Sequence, residues 1–301
     1  MEPVLTVSDV RKHYDNRFVL GPLNFSLEPG YITAVVGPNG SGKSTLFRML
    51  MSLAYPDEGS IRLFGRSYPE NGVEIKRRTG YVPELSEWDD SWRTVKDAVR
   101  FYSHWYPNWQ KDRFQELMQL YSLDPKLRFK GMSKGVRRKL SIALAMAHDP
   151  DLLLLDEPSS GLDPFASRAM VEDIHRFMES GSKSVLMATH IMDEVKKLAD
   201  YVIFICYGQQ LGMYEKDVLL DEWKAVWVER SSDRSKQFPG VMESSGSGPV
   251  RIVTSSFEET RQALAEEGNP IIKTESLELE EIFYHLMNKH GVSAGKERGA
   301  G

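Results

Sequence analysis

The chain has 301 residues, enough for one large domain beside a smaller one. Its 38 Lys and Arg against 43 Asp and Glu leave a formal net charge of −5 at pH 7, so no global basic field draws it to nucleic acid. The single cysteine, Cys206, excludes an internal disulfide and a cysteine-rich metal site and fits a reducing cytosol.

The opening MEPVLTVSDV lacks the charged-then-apolar pattern of a signal peptide, and VLTVSDVRKHY reads as strand and turn. YITAVVG (31–37) is a short β-branched run of the buried-strand kind. A glycine-rich turn and a helix from about Lys43 follow, with Leu46, Met49, Leu50 and Leu53 expected on one face. YPDEGSIRLFG returns to a strand, and residues 86–125 turn helical and strongly aromatic. Next come a helix at 134–147, the strand DLLLLDE, a helix near 165–180, the strand SVLMATH, a helix over 191–199 and the strand YVIFIC. This alternation predicts a mainly parallel sheet covered by helices. No apolar run approaches the ~20 residues needed to cross a bilayer, so a membrane role would require a span from another chain.

Beyond about 217 the pattern changes to the short strands KAVWVER, VRIVTSS and PIIKTES with helices near 257–267 and 277–289. ESSGSGP (243–249) reads as a flexible loop and GVSAGKERGAG as a disordered tail. The expected organisation is a nucleotide-type domain over 1–216 with a helical subdomain at about 86–148, a small α+β domain over 217–290, and a tail over 291–301.

GPNGSGKST (37–45) fits G-x-x-x-x-G-K-[ST] between a strong strand and a helix. Gly37, Asn39, Gly40, Ser41 and Gly42 form the turn, whose backbone N–H groups cradle phosphate beside a helix N-terminus. Lys43 is then expected to reach the β- and γ-phosphates of a nucleotide, Ser44 to ligate Mg²⁺, and Thr45 to add an α-phosphate contact. In LLLLDEPSSGLDP (152–164) the leucines deliver Asp156 to a strand's C-terminal end, where open α/β sheets place ligands; Asp156 is expected to hold Mg²⁺, directly or through water. Glu157 is placed to accept a proton from an attacking water, and His190, ending SVLMATH, to orient water and Glu157.

Together these motifs resemble the ATPase subunits of ABC transporters over about residues 4–215. The order carries the resemblance: phosphate loop at 37–45, GYVPE at 80–84 in the place of the glutamine-type loop, MSKGV at 132–136 in that of the signature, acidic strand at 152–157, D-loop SGLD at 160–163 with Asp163, and switch His190. The resemblance implies a P-loop NTPase fold and a head-to-tail dimer, homo- or heteromeric, around two ATP–Mg²⁺. Each site would be completed by Ser133 and Gly135 of the other subunit. It further implies a separate integral membrane permease, a position on the inner face of the cell membrane, and Tyr14 stacked on adenine. Two residues depart from the family pattern. Glu84 stands where glutamine is usual, and Met132-Ser133-Lys134-Gly135-Val136 replaces L-S-G-G-Q. Such variants occur among exporter-like members, and Glu84 is expected as a third metal ligand or a linker.

Ser133 is a favoured N-cap, with Val136, Leu140, Ala143, Leu144 and Ala147 forming one apolar helical face behind it. For Lys134, Arg137, Arg138 and Lys139 two readings stay open: solvated surface, or positive potential toward ATP or toward acidic groups across the dimer. Residues 88–109 hold seven aromatics with recurring spacings of four. They read as a subdomain core or as a groove for a membrane subunit's helix, with Trp88 and Trp92 as its candidates. The functional alternatives are an export ATPase, an ABC-type ATPase acting on ribosomes or DNA, and a catalytically weak regulatory subunit.

Overall fold

The computed structural model describes residues 2–14, 18–84, 92–230, 237–246 and 249–292. It comprises two compact units, Met1–Gln210 and Leu211–Gly301, divided within β9 (Gln209–Glu215).

The first unit is built on two sheets. β1 (Leu5–Tyr14) is the centre of an antiparallel sheet, flanked by β2 (Phe18–Leu27) and β4 (Glu58–Leu63). β2 breaks the apolar pattern with Gly21-Pro22 and Asn24, which hid it from a reading of periodicity. The second sheet ends on β9; its other strands run in the order β5 (Thr79–Val82), β6 (Leu152–Asp156), β7 (Ser184–Thr189), β3 (Ile32–Val36), β8 (Tyr201–Cys206), all parallel to one another. Every residue of β3, β6 and β7 is buried, so these strands read as continuous apolar runs rather than alternating ones. Their C-terminal ends lie level: Val36 pairs with Thr189, and Asp156 with Ala188. Whatever follows each strand therefore emerges on one edge.

α1 (Lys43–Leu50) buries Leu46, Met49 and Leu50 as expected. Leu53 does not join them; it is 56% exposed. The helix ends at Leu50, and Ser52 turns left-handed at φ 55°, carrying Leu53 off the apolar face. α2 (Gly72–Arg78) precedes β5. In the helical region, α3 (Val95–Trp105) opens with a capping box between Thr94 and Asp97, and α4 (Lys111–Leu120) follows. α5 (Lys134–Met146) is capped by Ser133, whose Oγ accepts from the Val136 N–H at 3.2 Å. α6 (Pro164–Met178) carries Asp163 as N-cap and Pro164 at its first position, and α7 (Met192–Leu198) follows β7. Arg113 of α4 reaches Asp173 of α6 at 2.5 Å, an ion pair in which Asp173 is fully buried.

The second unit holds α8 (Lys216–Glu222) and an antiparallel sheet in the order β11 (Val241–Ser245), β12 (Val250–Thr254), β10 (Lys224–Val228), β13 (Ile271–Ser276). α9 (Phe257–Glu266) and α10 (Leu279–Lys289) complete it. Val226, Val228, Val250, Ile252 and Leu264 form its core. Residues 243–245, expected in a flexible loop, belong to β11: the backbone ladder to β12 needs no apolar side chains at an edge.

Candidate active site

The β3 strand runs into the 37–42 turn, which leads straight into α1. Gly42, at the N-cap, has φ 105°, and a Cβ there would approach the Leu20 side chain to 2.6 Å. Only glycine meets both demands. Lys43 turns back over this loop: its ammonium donates to the Gly37 carbonyl at 2.8 Å and the Pro38 carbonyl at 3.2 Å. It also stands 3.5 Å from Glu157 Oε1. A cleft of about 380 Å³ opens here, its floor lined by Asn39, Gly40, Gly42, Lys43, Ser44 and Thr45 and its walls by Phe18, Glu84 and Glu157. Ser41 is buried behind the loop.

The level strand ends bring the remaining groups to this cleft. Ser44 Oγ lies 3.3 Å from Asp156 Oδ1 and 3.5 Å from Glu84 Oε2. Burial, with Glu84 and Glu157 as like charges, pushes the Asp156 carboxyl up to about 6 against the pull of Ser44 and Lys43. A dication offsets that crowding. Three oxygen donors on one hydroxyl and two carboxylates suit hard Mg²⁺. Among the described residues no group of three or more His, Cys, Asp or Glu could hold a metal. A small protein ligand set is what Mg²⁺ uses when substrate phosphates complete its shell.

Glu157 follows β6 in the left-handed region, φ 49°, with its N–H bonded to the Ala188 carbonyl at 2.9 Å. That turn holds its carboxylate almost fully buried between two cations or potential cations. Oε1 faces Lys43, and Oε2 lies 2.8 Å from His190 Nδ1. His190 is half exposed and sits on a turn fixed by Thr189, whose hydroxyl accepts from the Ile191 N–H and donates to the buried Glu194.

Ser133 and Gly135 begin α5, with Ser133 exposed. A Cβ on Gly135 would stand 2.5 Å from the Gly161 carbonyl, so this glycine is required by close approach of the D-loop within the same chain. The basic cluster divides by partner. Lys134 donates to Ser160 Oγ at 3.0 Å, and Lys139 pairs with Asp163 Oδ2 at 3.0 Å. Asp163 Oδ1 accepts from the Ala166 N–H at 2.9 Å; that bond and Lys139 hold its carboxyl below the usual range. Arg138 is buried and points inward. Neither reading of this cluster foresaw contacts within the chain.

Tyr14 is 39% exposed and does not line the cleft; Phe18 does, with the two rings 6.5 Å apart. Sequence reading missed Phe18, because nothing in its spacing distinguishes it from a core aromatic. Trp88 lies outside the described residues. Trp92 is half-buried and packs on Phe101, Tyr102 and Phe129 at 5.2, 6.2 and 5.9 Å between ring centres, as a subdomain core would have it. Phe101 and Trp105 show their outer faces to solvent.

A family model described as ABC transporter matches residues 20–160. The Nod factor export ATP-binding protein I of Cupriavidus metallidurans is 30% identical over 226 residues, covering 73% of this chain and 74% of that protein. The protein of the same name from Burkholderia orbicola is 34% identical over 208 residues, 68% of each chain. The chain belongs to the ABC transporter family. It is an ABC-type ATPase subunit of a transporter. An ATP-binding subunit of an ABC transporter superposes with TM-score 0.65 at 25% identity, over 71% of this chain and 91% of that one. A dimeric ATP-binding cassette bound to ADP and Pi superposes at 0.63 with 19% identity, over 70% and 98%, a likeness of fold. These matches cover about 68–73% of this chain and about 66–74% of the curated relatives' own lengths.

Proposed function

We propose that this ABC ATPase binds Mg²⁺–ATP on the 37–45 loop, closes head-to-tail on a second ATPase subunit, and powers export through a separate membrane permease. The observation that carries the proposal is the convergence of Lys43, Ser44, Asp156, Glu157 and His190 on one sheet edge, linked by contacts of 2.8–3.5 Å. Lys43 and the loop N–H groups hold the β- and γ-phosphates. Asn39, Gly40 and Thr45 line the same floor. Ser44, Asp156 and Glu84 hold the metal, which when bound neutralises developing phosphate charge. Glu157 takes the proton of the attacking water, its carboxylate held between Lys43 at 3.5 Å and His190 at 2.8 Å. Phe18 offers the base an aromatic surface at the cleft wall, with the Tyr14 ring 6.5 Å behind it rather than in the cleft.

Ser133 Oγ uses a lone pair on the Val136 N–H and keeps its own proton to donate, which suits it to a phosphate on the partner subunit. Asp163 contributes to that junction through the D-loop. Export is supported by the names of the relatives. A separate permease is supported by the absence, among the described residues, of any helix long and apolar enough to cross a membrane. Trp92 and the exposed rings of Phe101 and Trp105 are the surface offered to that permease at the inner membrane face; no nucleic acid is needed.

Phosphate release tests the chemistry: Glu157→Gln keeps ATP binding and loses about 10²–10⁴-fold in turnover. Ser133→Arg tests the in-trans role: the variant binds ATP but neither dimerises nor turns over, and undiminished turnover refutes that role. Co-purification from membranes with a polytopic subunit that alters the ATPase rate supports the transport reading, and co-sedimentation with ribosomes instead overturns it.

A further inference from the structure

Among the four basic residues at the head of α5, Arg138 alone is buried, with 2% of its surface exposed. Its guanidinium donates to backbone carbonyls of two other chain segments. Nη1 donates to Pro83 O at 2.6 Å and to Asp156 O at 3.3 Å; Nη2 donates to Glu84 O at 2.5 Å. Pro83 and Glu84 follow β5, and Asp156 ends β6, so a single side chain of the signature helix ties together both chain segments that carry carboxylates to Ser44.

We infer that Arg138 is the positioning residue of the metal-ligand set, holding the Glu84 and Asp156 backbones so that both carboxylates reach Ser44, and coupling that set to the signature helix. A rigid, planar five-donor group suits this role, because it can address several carbonyls at once in a fixed fork. Its charge has a second use. Glu84, Asp156 and Glu157 crowd one cleft, and Glu84 adds a negative charge that a glutamine would not. The buried guanidinium interacts favourably with all three carboxylates, which opposes its own desolvation. The arrangement also gives the helix that presents Ser133 a direct mechanical link to Glu84: a shift of α5 along its axis pulls the Pro83–Glu84 carbonyls with it.

The inference rests on the reading of Ser44, Glu84 and Asp156 as Mg²⁺ ligands, and the experiment separates the two. Binding of a fluorescent ATP analogue to the full chain is titrated in Mg²⁺ and in EDTA, in the Glu157→Gln background so that turnover plays no part. Wild-type Arg138 should show tighter binding in Mg²⁺; equal binding in both conditions overturns the ligand-set reading itself. Arg138→Met should raise the Mg²⁺ concentration for half-maximal enhancement by about tenfold, as losses of groups that orient metal ligands do, while leaving affinity in EDTA within about twofold. Arg138→Lys, which keeps the charge but not the fork, should fall between. Adding Glu84→Ala should shrink the effect of Arg138→Met, since part of it is exerted through that carboxylate. An Mg²⁺ titration unchanged in both Arg138 variants overturns the inference. So does an equal loss in Mg²⁺ and EDTA, which marks a residue that only stabilises the fold. Arg138→Lys supplies the comparison if the methionine variant does not fold.

Discussion

His148 offers the sharpest link between burial and a measurable pH response. It follows α5, is 1% exposed, and lies against the Tyr106 ring with 4.0 Å between ring centres. Burial pushes its imidazole down from 6.5 to about 4, against smaller upward pulls from the backbone of Leu144 and Thr79. The folded protein therefore keeps His148 neutral while the unfolded chain takes a proton as pH drops below 6.5, so stability falls with decreasing pH. Linkage between those two pKa values gives a loss of about 2 kcal/mol at pH 5 and about 3 kcal/mol at pH 4, with none above pH 7. His148→Phe retains an aromatic face toward Tyr106 and removes the titration. Urea unfolding at pH 7.5 and 5.0, followed by pulsed hydrogen exchange of α5 and β6 peptides, assigns the transition to the unit carrying His148. Whatever its absolute stability, His148→Phe should lose about 2 kcal/mol less than wild type between the two pH values. Parallel losses in the two proteins refute the reasoning, and His148→Gln repeats the test without an added ring.

Three further outcomes follow from named contacts. Gly135→Ala sets a Cβ 2.5 Å from the Gly161 carbonyl, which forces the signature and D-loop apart; ATP binding should persist while phosphate release falls at least about tenfold. Arg113→Met leaves buried Asp173 with, among the described residues, the Arg176 ion pair at 3.5 Å alone and should cost about 3 kcal/mol in urea unfolding, much of it recovered by adding Asp173→Asn. Glu84→Gln removes a like charge beside Asp156 but keeps an oxygen donor, so ATP turnover should stay within about tenfold; abolished turnover would reject Glu84 as a ligand that glutamine can replace.

Much of the site was legible from local sequence because its chemistry is local. The phosphate loop needs Gly42 at positive φ, a lysine and a serine in fixed succession, and a flanking strand and helix, all between Ile32 and Leu50. The four leucines before Asp156 announce a buried strand and therefore where its end lies. Residues whose role depends on distant partners were not legible. Leu53 kept the helical period yet left the face, because a left-handed turn intervened. Phe18 entered the cleft wall and Tyr14 did not, a difference set by the path of the β1–β2 hairpin rather than by residue type.

The basic head of α5 shows the division most clearly. Sequence determined that Lys134, Arg137, Arg138 and Lys139 share a turn behind a serine cap, and that the helix is amphipathic enough to pack. Only the tertiary structure decided that Arg138 turns toward the carbonyls after β5 and β6 while Lys134 and Lys139 reach the D-loop. The physical reason is that a guanidinium leaves water only where enough acceptors converge on it. Those acceptors come from segments more than 50 residues apart in the chain, which meet only when the parallel sheet is assembled.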